Sequence, residues 1–369
     1  MIIPELPSFL ESMGGGEHKG LIIALFTLSA GLSRPFSGKL ADKVGRIPVM
    51  VVGALVSGIA ALLYPIVGGI FGFFLLRFFH GFSTGFKPTG TSAYIADLVS
   101  EERRGEAMGF IGFFSSLGMA SGPAAGSFLA EYFSLNAMFY CSSVASILSV
   151  LILIGMKETL ATPERVSAKH FAIKKHDIYE PNVLVPSILM VLSVYSFGAI
   201  LTIIPDFSDY LHFSNRGMFF TFFTVASLMV RIIAGKASDR FGRVPVLRVG
   251  TTFLFLAMLA LANTGENQII FILSGFLFGF GMGICSPTIF AWTIDLSDEK
   301  HRGRAMASMY IALEAGIGLG AFCSGWIFNN DPSRLPLVFY IAGGLVLFGL
   351  VYLFLPNVSS KSFRPNRIP

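Results

Sequence analysis

Helix-length apolar stretches follow one another along almost the whole chain. A helix needs about 20 mostly apolar residues to cross a bilayer, and only helices or closed barrels satisfy all their backbone hydrogen bonds there. These stretches are longer than barrel strands. The 369 residues are 53% hydrophobic and only 13% charged, which is too few polar groups to surface a water-soluble domain. We therefore predict an all-α membrane protein.

Loop signals between the apolar stretches predict eleven complete spans. They lie near residues 20–40, 47–69, 71–97, 105–132, 136–156, 183–210, 215–237, 244–264, 268–294, 304–328 and 335–355. The longest polar segment, residues 157–182, is named the linker. It divides the chain into a predicted N-terminal bundle, residues 1–156, and a predicted C-terminal bundle, residues 183–369.

Basic residues predict which loops face the cytoplasm. With the loop at 41–46 placed inside, the loops on the opposite side hold only Lys19, Arg216 and Arg334 of the 27 Lys and Arg. Cytoplasmic loops of membrane proteins are enriched in basic residues. We therefore expect the linker and the C-terminus to be cytoplasmic, and we expect no nucleic-acid partner from a basic balance of this kind.

The two predicted bundles repeat one another in sequence. Residues 38–49 (GKLADKVGRIPV) match residues 235–246 (GKASDRFGRVPV). In nearly the same register, four further residues match: Asp97 with Asp295, Arg104 with Arg302, Gly105 with Gly303, and Met108 with Met306. Duplication of this kind is common in secondary transporters, whose substrate site lies at the interface between the repeats.

The repeat also predicts a shortened first span. Residues 3–5 correspond to residues 204–206, and the second half has about 20 further apolar residues before that point. The first half has only Met1 and Ile2 there. We expect most of span 1 to be absent from this sequence.

A loop motif present in both halves resembles motif A of the major facilitator superfamily. It lies at Gly38, Asp42, Gly45 and Arg46, and again at Gly235, Asp239, Gly242 and Arg243. In the family, the loop is a cytoplasmic latch whose Asp faces the start of span 11. An anion beside a helix N-terminus gains about 0.3 to 1 kcal/mol, which is enough to bias a two-state gate. Ile47 departs from the family, which often has a second basic residue there.

Two further motifs extend the resemblance over essentially all of the chain. Arg77 and Gly81 in span 4 resemble motif B, whose Arg is associated with proton coupling. Span 5 resembles the antiporter motif of drug:proton exporters at Gly118, Gly122, Pro123 and Gly126. Small residues also recur in span 11, so ordinary close packing of helices is an alternative explanation of the glycines. The counterpart of Pro123 is Ala321, and this one-sided proline favours an exporter over an importer.

The resemblance implies a major facilitator fold of two pseudo-symmetric six-helix bundles, with eleven complete spans and the end of span 1. It also implies a monomer in the plasma membrane that moves a small molecule, coupled to protons, without covalent chemistry. The sequence holds no phosphate-binding loop, catalytic triad or metal-ligand cluster. We expect neither an enzyme nor a bound cofactor or metal.

Four ionisable residues inside predicted spans have no charged counterpart in the other repeat. The aligned pairs are Arg77 with Gly275, His80 with Phe278, Lys87 with Cys285, and Glu314 with Ser116. A charge at mid-membrane costs about 2.5 to 3.5 kcal/mol on insertion scales, so each needs a partner or a function. By contrast, Arg34 and Asp97 are matched by charges in the second half, which favours a scaffold role for them.

Glu314 is the candidate proton carrier. It lies about ten residues into span 11, with Tyr310 on the same helical face. Burial favours the protonated carboxyl, whereas a nearby Lys87 or Arg77 favours the ionised form. The hypothesis is that Glu314 binds a proton in one access state and releases it in the other. A permanent ion pair with Lys87 is the alternative.

The substrate is left open by the sequence. Aromatic residues at Tyr94, Tyr195, Trp292 and Tyr310 can line an amphipathic drug pocket, but such residues are more often part of the core. A net positive cavity, with Arg77 and Lys87 against Glu314, can instead suit an anionic metabolite, a siderophore or an organic acid. A proton-coupled importer of a sugar or organic acid, and a membrane protein that does not transport, are the two rival interpretations.

Overall fold

The computed structural model describes residues 1–3, 5–15, 18–212, 218–329 and 331–355. This part of the chain is mainly helical, and two of its helices, α1 and α7, are short. The helices are α1 (Leu6–Ser12), α2 (Lys19–Lys43), α3 (Arg46–Leu63), α4 (Gly69–Leu98), α5 (Arg104–Tyr132), α6 (Leu135–Ile154), α7 (Lys175–Ile178), α8 (Leu184–Tyr210), α9 (Met218–Phe241), α10 (Arg243–Ala262), α11 (Gln268–Leu296), α12 (Arg302–Phe328) and α13 (Leu335–Tyr352).

All eleven predicted spans are long helices in the described part of the chain, which confirms the predicted fold class. Nine of these helices are long and apolar enough to cross a membrane by length and composition alone. The remaining two are α4 and α5. Charged residues lower the mean hydropathy of α4, and frequent Gly and Ser lower that of α5.

The chain forms two compact units. Unit 1 comprises residues 1–98, 117–180 and 297–310, and unit 2 comprises residues 99–116, 181–296 and 311–369. The first turns of α12 therefore belong to unit 1, and the first turns of α5 belong to unit 2. The linker, up to Glu180, is part of unit 1.

Equivalent helices pack in equivalent pairs inside each unit. In unit 1, α4 packs against α2 and α3, and α3 packs against α6. In unit 2, α11 packs against α9 and α10, and α10 packs against α13. The repeat found in the sequence is therefore also a repeat of helix packing.

Close helix crossings in both units depend on glycine. A Cβ on Gly81 of α4 would lie 2.3 Å from the Phe26 carbonyl oxygen of α2. A Cβ on the equivalent Gly279 of α11 would lie 2.4 Å from the Phe223 carbonyl oxygen of α9. Because backbone atoms cannot give way as a flexible side chain can, both positions require the smallest residue. Gly81 of motif B thus has a packing role that both repeats share.

Glycine also allows the sharp reversals that bring motif A to the helix ends. Gly45 precedes α3 with φ 145°, and Gly242 precedes α10 with φ 89°. L-residues with a side chain rarely adopt these backbone angles. The two reversals place the charged residues that follow, Arg46 and Arg243, at the first positions of α3 and α10.

Candidate functional site

The carboxylate of Asp42, at the end of α2, caps the N-terminus of α12. Its Oδ1 accepts a hydrogen bond from the Gly303 backbone N–H at 2.6 Å, and its Oδ2 accepts one from the Arg304 N–H at 2.8 Å. Asp42 is buried. The first N–H groups of a helix have no partner within the helix, and the helix dipole favours a negative charge beside them. A carboxylate here therefore satisfies two donors at once.

Arg46 connects this cap to a second carboxylate, Asp97, which also accepts from Arg302. Arg46 Nη1 donates to Asp42 Oδ1 at 2.8 Å, and Arg46 Nε donates to Asp97 Oδ2 at 3.0 Å. Arg302 Nη1 donates to Asp97 Oδ1 at 2.5 Å. We call Asp42, Arg46, Asp97 and Arg302 the Asp42 network. Asp42, Arg46 and Arg302 are buried, the Asp97 side chain is 12% exposed, and all four charges are paired, which is the condition under which buried charges persist in proteins.

Unit 2 contains the same arrangement at the equivalent residues. Asp239 accepts from the backbone N–H groups of Gly105 and Glu106 at 2.7 and 2.8 Å, at the start of α5. Arg243 donates to Asp239 at 2.6 Å and to Asp295 at 2.8 Å. Asp295 also accepts from Arg104 at 3.1 Å. The Asp239 network comprises Asp239, Arg243, Asp295 and Arg104.

The repeat in the sequence indicates most members of these networks but not their pairing. Gly38 allows α2 to approach the start of α12 closely, because a Cβ there would lie 2.8 Å from the Ala307 Cβ of α12. Gly235 plays the same part in unit 2, where a Cβ on it would lie 2.3 Å from the Gly105 carbonyl oxygen.

Arg302 and Arg104 are not among the site residues predicted from the sequence. A signal for them exists, since both match in the repeat and both precede a capped glycine.

Arg77 of α4 is buried against α2. Its Nε donates to the Ile22 carbonyl oxygen at 2.9 Å, and its guanidinium carbon lies 4.1 Å from the centre of the Phe26 ring. A carbonyl oxygen and an aromatic face both suit a cation that has left water. The equivalent position in α11 is Gly275, so these contacts are particular to unit 1.

His80 lies one turn further along α4 and faces α3. Its Nδ1 lies 3.4 Å from the Tyr64 hydroxyl, and its Nε2 lies 3.5 Å from the Ser57 hydroxyl. The ring of Phe26 meets the imidazole edge to face, with centres 5.6 Å apart. His80 is therefore enclosed by hydroxyl groups and rings of unit 1.

Lys87 reaches a different helix. Its ammonium group donates to the Ser149 hydroxyl of α6 at 2.8 Å. Gly53 of α3 allows this crossing, because a Cβ there would lie 2.6 Å from the Lys87 backbone nitrogen. The three ionisable side chains Arg77, His80 and Lys87 of α4 thus contact α2, α3 and α6, respectively, within unit 1.

Tyr310 of α12 covers a buried arginine of unit 1. The Arg34 guanidinium carbon lies 4.2 Å from the ring centre, and the Tyr310 hydroxyl lies 3.1 Å from that of Ser92. In unit 2, Gly112 of α5 occupies the position equivalent to Tyr310, and a Cβ there would lie 2.3 Å from Arg231 Nη1. Unit 1 thus places a ring over its arginine, and unit 2 leaves room for the arginine itself.

We expect Tyr310→Ala to lower the midpoint of thermal unfolding in detergent more than Tyr310→Phe does. Phenylalanine keeps the ring over Arg34 and loses only the Ser92 contact, whereas alanine uncovers the guanidinium. A cation–π contact of this kind contributes about 0.5 to 2 kcal/mol. A larger loss for phenylalanine than for alanine would contradict this assignment.

Glu314 lies one turn beyond Tyr310 in α12 and is half-buried in unit 2.

The aromatic residues other than Tyr310 that were candidates for a substrate pocket are part of the packed interior. Trp292 has no exposed surface, Tyr195 is 7% exposed, and the Tyr94 hydroxyl donates to the Lys157 carbonyl oxygen at 3.1 Å.

The glycines of the antiporter motif line one side of α5. A Cβ on Gly126 would lie 2.1 Å from the Met1 carbonyl oxygen, and one on Gly122 would lie 3.4 Å from the Met1 nitrogen. Within the described residues, no atom lies within 4 Å of a Cβ built on Gly118. Pro123 lies within the same helix.

Comparison with known proteins identifies the family. A family model described as Major Facilitator Superfamily matches residues 1–218 and 186–368, which together cover nearly the whole chain.

Three relatives are similar over almost their full length. The multi-drug resistance efflux pump PmrA of Streptococcus pneumoniae is 29% identical over 365 residues, covering 95% of this chain and 90% of the relative. Multidrug resistance protein 2 of Bacillus subtilis is 26% identical over 363 residues, covering 95% and 89%. Multidrug resistance protein MdtG of Klebsiella pneumoniae is 26% identical over 385 aligned positions, covering 100% and 92%.

Solved structures show the same fold at lower sequence identity. The proton:xylose symporter XylE matches with a TM-score of 0.79 at 14% identity, over 96% of this chain and 92% of that chain. The human organic anion transporter MFSD10 matches with a TM-score of 0.76 at 17% identity, over 95% and 89%. Because the family model matches nearly the whole chain, the chain belongs to the Major Facilitator Superfamily and is a multi-pass membrane transporter of that family.

Proposed function

We propose that this transporter exports small amphipathic, drug-like molecules in exchange for protons. The observation that supports export most directly is the similarity to multidrug resistance proteins over 95% or more of the chain. The one-sided Pro123 of the antiporter-like motif favours the same direction. The relatives' names describe several drugs rather than a single metabolite, which supports a broad class of drug-like substrates.

Alternating access is the mechanism we propose, with the bundles at 1–156 and 183–369 moving about a central site. The Asp42 and Asp239 networks support a gating role for motif A. Each joins a carboxylate of one predicted bundle to the start of a helix of the other, through two backbone N–H groups. Charge-assisted contacts of this kind are strong when formed, and a substrate or proton that binds one conformation more tightly can shift the equilibrium between conformations.

Proton coupling is assigned to Glu314, with Lys87, His80 or Arg77 as the residues that respond to its charge. Tyr310 is a further candidate for proton coupling or substrate binding. Support comes from the asymmetry between the repeats. Arg77 and His80 are ionisable groups held among buried contacts of unit 1, at positions where the second repeat has Gly275 and Phe278. The fold does not require charges there, so a function retained in one repeat accounts for them.

Drug export is tested by measuring ethidium accumulation in bacteria that lack their own exporters. Cells that make this protein are expected to accumulate less ethidium, and a protonophore should abolish the difference. Equal accumulation with protein present in the membrane would refute drug export. Uptake of a sugar or organic acid that rises when the outside is acidified would favour the rival importer.

Glu314→Gln is expected to lower proton-driven ethidium efflux by about tenfold or more and to remove its dependence on pH. Glutamine has nearly the same size and cannot release a proton, and positioned proton transfer typically contributes factors of about 10² to 10⁴. Efflux is measured between pH 6 and pH 8 at matched protein levels. Glu266→Gln, a change at an exposed loop residue, is the matched control. An unchanged pH profile in Glu314→Gln would exclude Glu314 as the carrier.

A further inference from the structure

A lysine and a glutamate form an ion pair beside the Asp239 network. Lys236 lies on α9, three residues before Asp239, and Glu106 supplies one of the backbone N–H groups that Asp239 binds. The Lys236 ammonium lies 3.3 Å from the Glu106 carboxylate. In unit 2, the contact between Asp239 and the start of α5 is therefore accompanied by an ion pair between Lys236 and Glu106.

The equivalent positions in unit 1 are both basic. Lys39 corresponds to Lys236, and Arg304 corresponds to Glu106. Arg304 is also a backbone partner of Asp42. Without a further carboxylate, two positive side chains would flank the Asp42 cap, and their repulsion would oppose the contact.

The linker supplies the carboxylates that the repeat lacks. Asp177 accepts from the Lys39 ammonium at 2.8 Å, and the Ala172 carbonyl oxygen accepts from the same group at 2.7 Å. Glu180 accepts from Arg304 through both Nε, at 2.8 Å, and Nη2.

These pairs are better shielded from water than their counterpart in unit 2. The side chain of Glu180 is 4% exposed and that of Arg304 is 16% exposed, against 61% for Lys236. The Glu180 backbone N–H also donates to the Ser308 hydroxyl of α12 at 2.9 Å. Shielded, charge-assisted hydrogen bonds contribute more than exposed ion pairs.

The N-terminal end of the linker also forms hydrogen bonds with the Asp42 network and with the start of α3. The Glu158 carboxylate accepts from the backbone N–H groups of Arg46 and Ile47, both at 3.0 Å, at the start of α3. The Thr159 hydroxyl donates to Asp97 at 2.8 Å. The linker is thus bound at both ends to the elements that the Asp42 network joins.

We propose that the linker stabilises the Asp42 network. In unit 2, Glu106 neutralises the neighbouring lysine; in unit 1 the equivalent residue is Arg304, and Asp177 and Glu180 of the linker supply the negative charge instead. By neutralising Lys39 and Arg304, these two residues set how readily Asp42 releases the start of α12. The effect on transport rests on the gating role proposed above, but the effect on the Asp42 contact does not.

Hydrogen–deuterium exchange of the full chain in lipid nanodiscs tests the proposal without any substrate. The peptide that contains Gly303 and Arg304 reports the N–H groups bound by Asp42. The double variant Asp177→Asn/Glu180→Gln is expected to raise their exchange rate by about tenfold. Glu164→Gln is the matched control, because it changes a half-buried linker carboxylate whose ion pairs are with Lys43, Lys169 and His170. Exchange in this variant should stay within about twofold of the original.

A third change separates this proposal from a general loosening of the linker. Adding Arg304→Glu to the double variant gives Lys39 an acidic neighbour, as Lys236 has, and should return the exchange to its original slow rate. Exchange that is unchanged in the double variant, or that stays fast after Arg304→Glu, would overturn the proposal. Unaltered exchange in α10 shows that each variant is folded, and the single Glu180→Gln replaces the double variant if that one fails to fold.

Discussion

Replacing Asp97 by asparagine will destabilise the contact between Asp42 and the start of α12. Asp97 is the shared partner of Arg46 and Arg302, and its loss leaves two buried guanidinium groups with too little negative charge. Removing one partner of a buried ion pair costs about 3 to 5 kcal/mol. Conformations with the contact broken should therefore become at least a hundredfold more populated, since about 1.4 kcal/mol corresponds to a factor of ten.

Hydrogen exchange and transport together measure this effect. Exchange at Gly303 and Arg304 should rise, and ethidium efflux should fall with it. Asp295→Asn is the matched variant, because it removes the equivalent partner of Arg243 and Arg104 in the other network. It should accelerate exchange at Gly105 and Glu106 while leaving Gly303 protected. Slow exchange at Gly303 in Asp97→Asn would show that Asp97 does not support the Asp42 cap.

Gly81→Val will greatly reduce the yield of folded protein. A Cβ at this position would lie 1.9 Å from the Ser29 hydroxyl oxygen and 2.3 Å from the Phe26 carbonyl oxygen. The serine can rotate, but the carbonyl cannot move without separating α2 from α4. Overpacking typically costs about 1 to 3 kcal/mol, and a clash with backbone lies at or above the upper end.

Folded yield is measured as the monodisperse fraction after extraction in mild detergent. Gly344→Ala is the control, because no described atom lies within 4 Å of a Cβ at Gly344. It should leave the yield within about 20% of the original value, as expected for substitutions away from packed contacts. A Gly81→Val protein with normal yield would mean that α2 and α4 do not approach as closely as the structure shows.

The fold could be predicted from the sequence because its signals are long and repeated. Each span is a run of apolar residues of the length that a bilayer requires, and the match between residues 38–49 and 235–246 fixes the register of the two halves. The same match predicts that Asp42 and Asp239 occupy equivalent positions. Their contacts with Gly303 and Gly105 are equivalent in the same way.

The surroundings of the candidate site were not predictable in the same way. The helical spacing of Arg77, His80 and Lys87 places them on one face of α4, but it does not say which neighbours that face meets. These depend on the packing of α4 against α2 and α3. The sequence of the linker does not indicate the partners of its acidic residues, because polar connections commonly contain such residues. The partners of Asp177 and Glu180 are residues more than 120 positions away in the sequence.

Proton movement in everted membrane vesicles tests proton-coupled export most directly. Vesicles that carry the chain are energised, and a pH-sensitive dye is followed while lipophilic cations, organic acids and sugars are added in turn. We expect an amphipathic cation such as ethidium to release protons from the vesicle lumen, and Glu314→Gln vesicles to release them at least about tenfold more slowly. Folded protein that moves no protons with any of these compounds would rule out proton-coupled export.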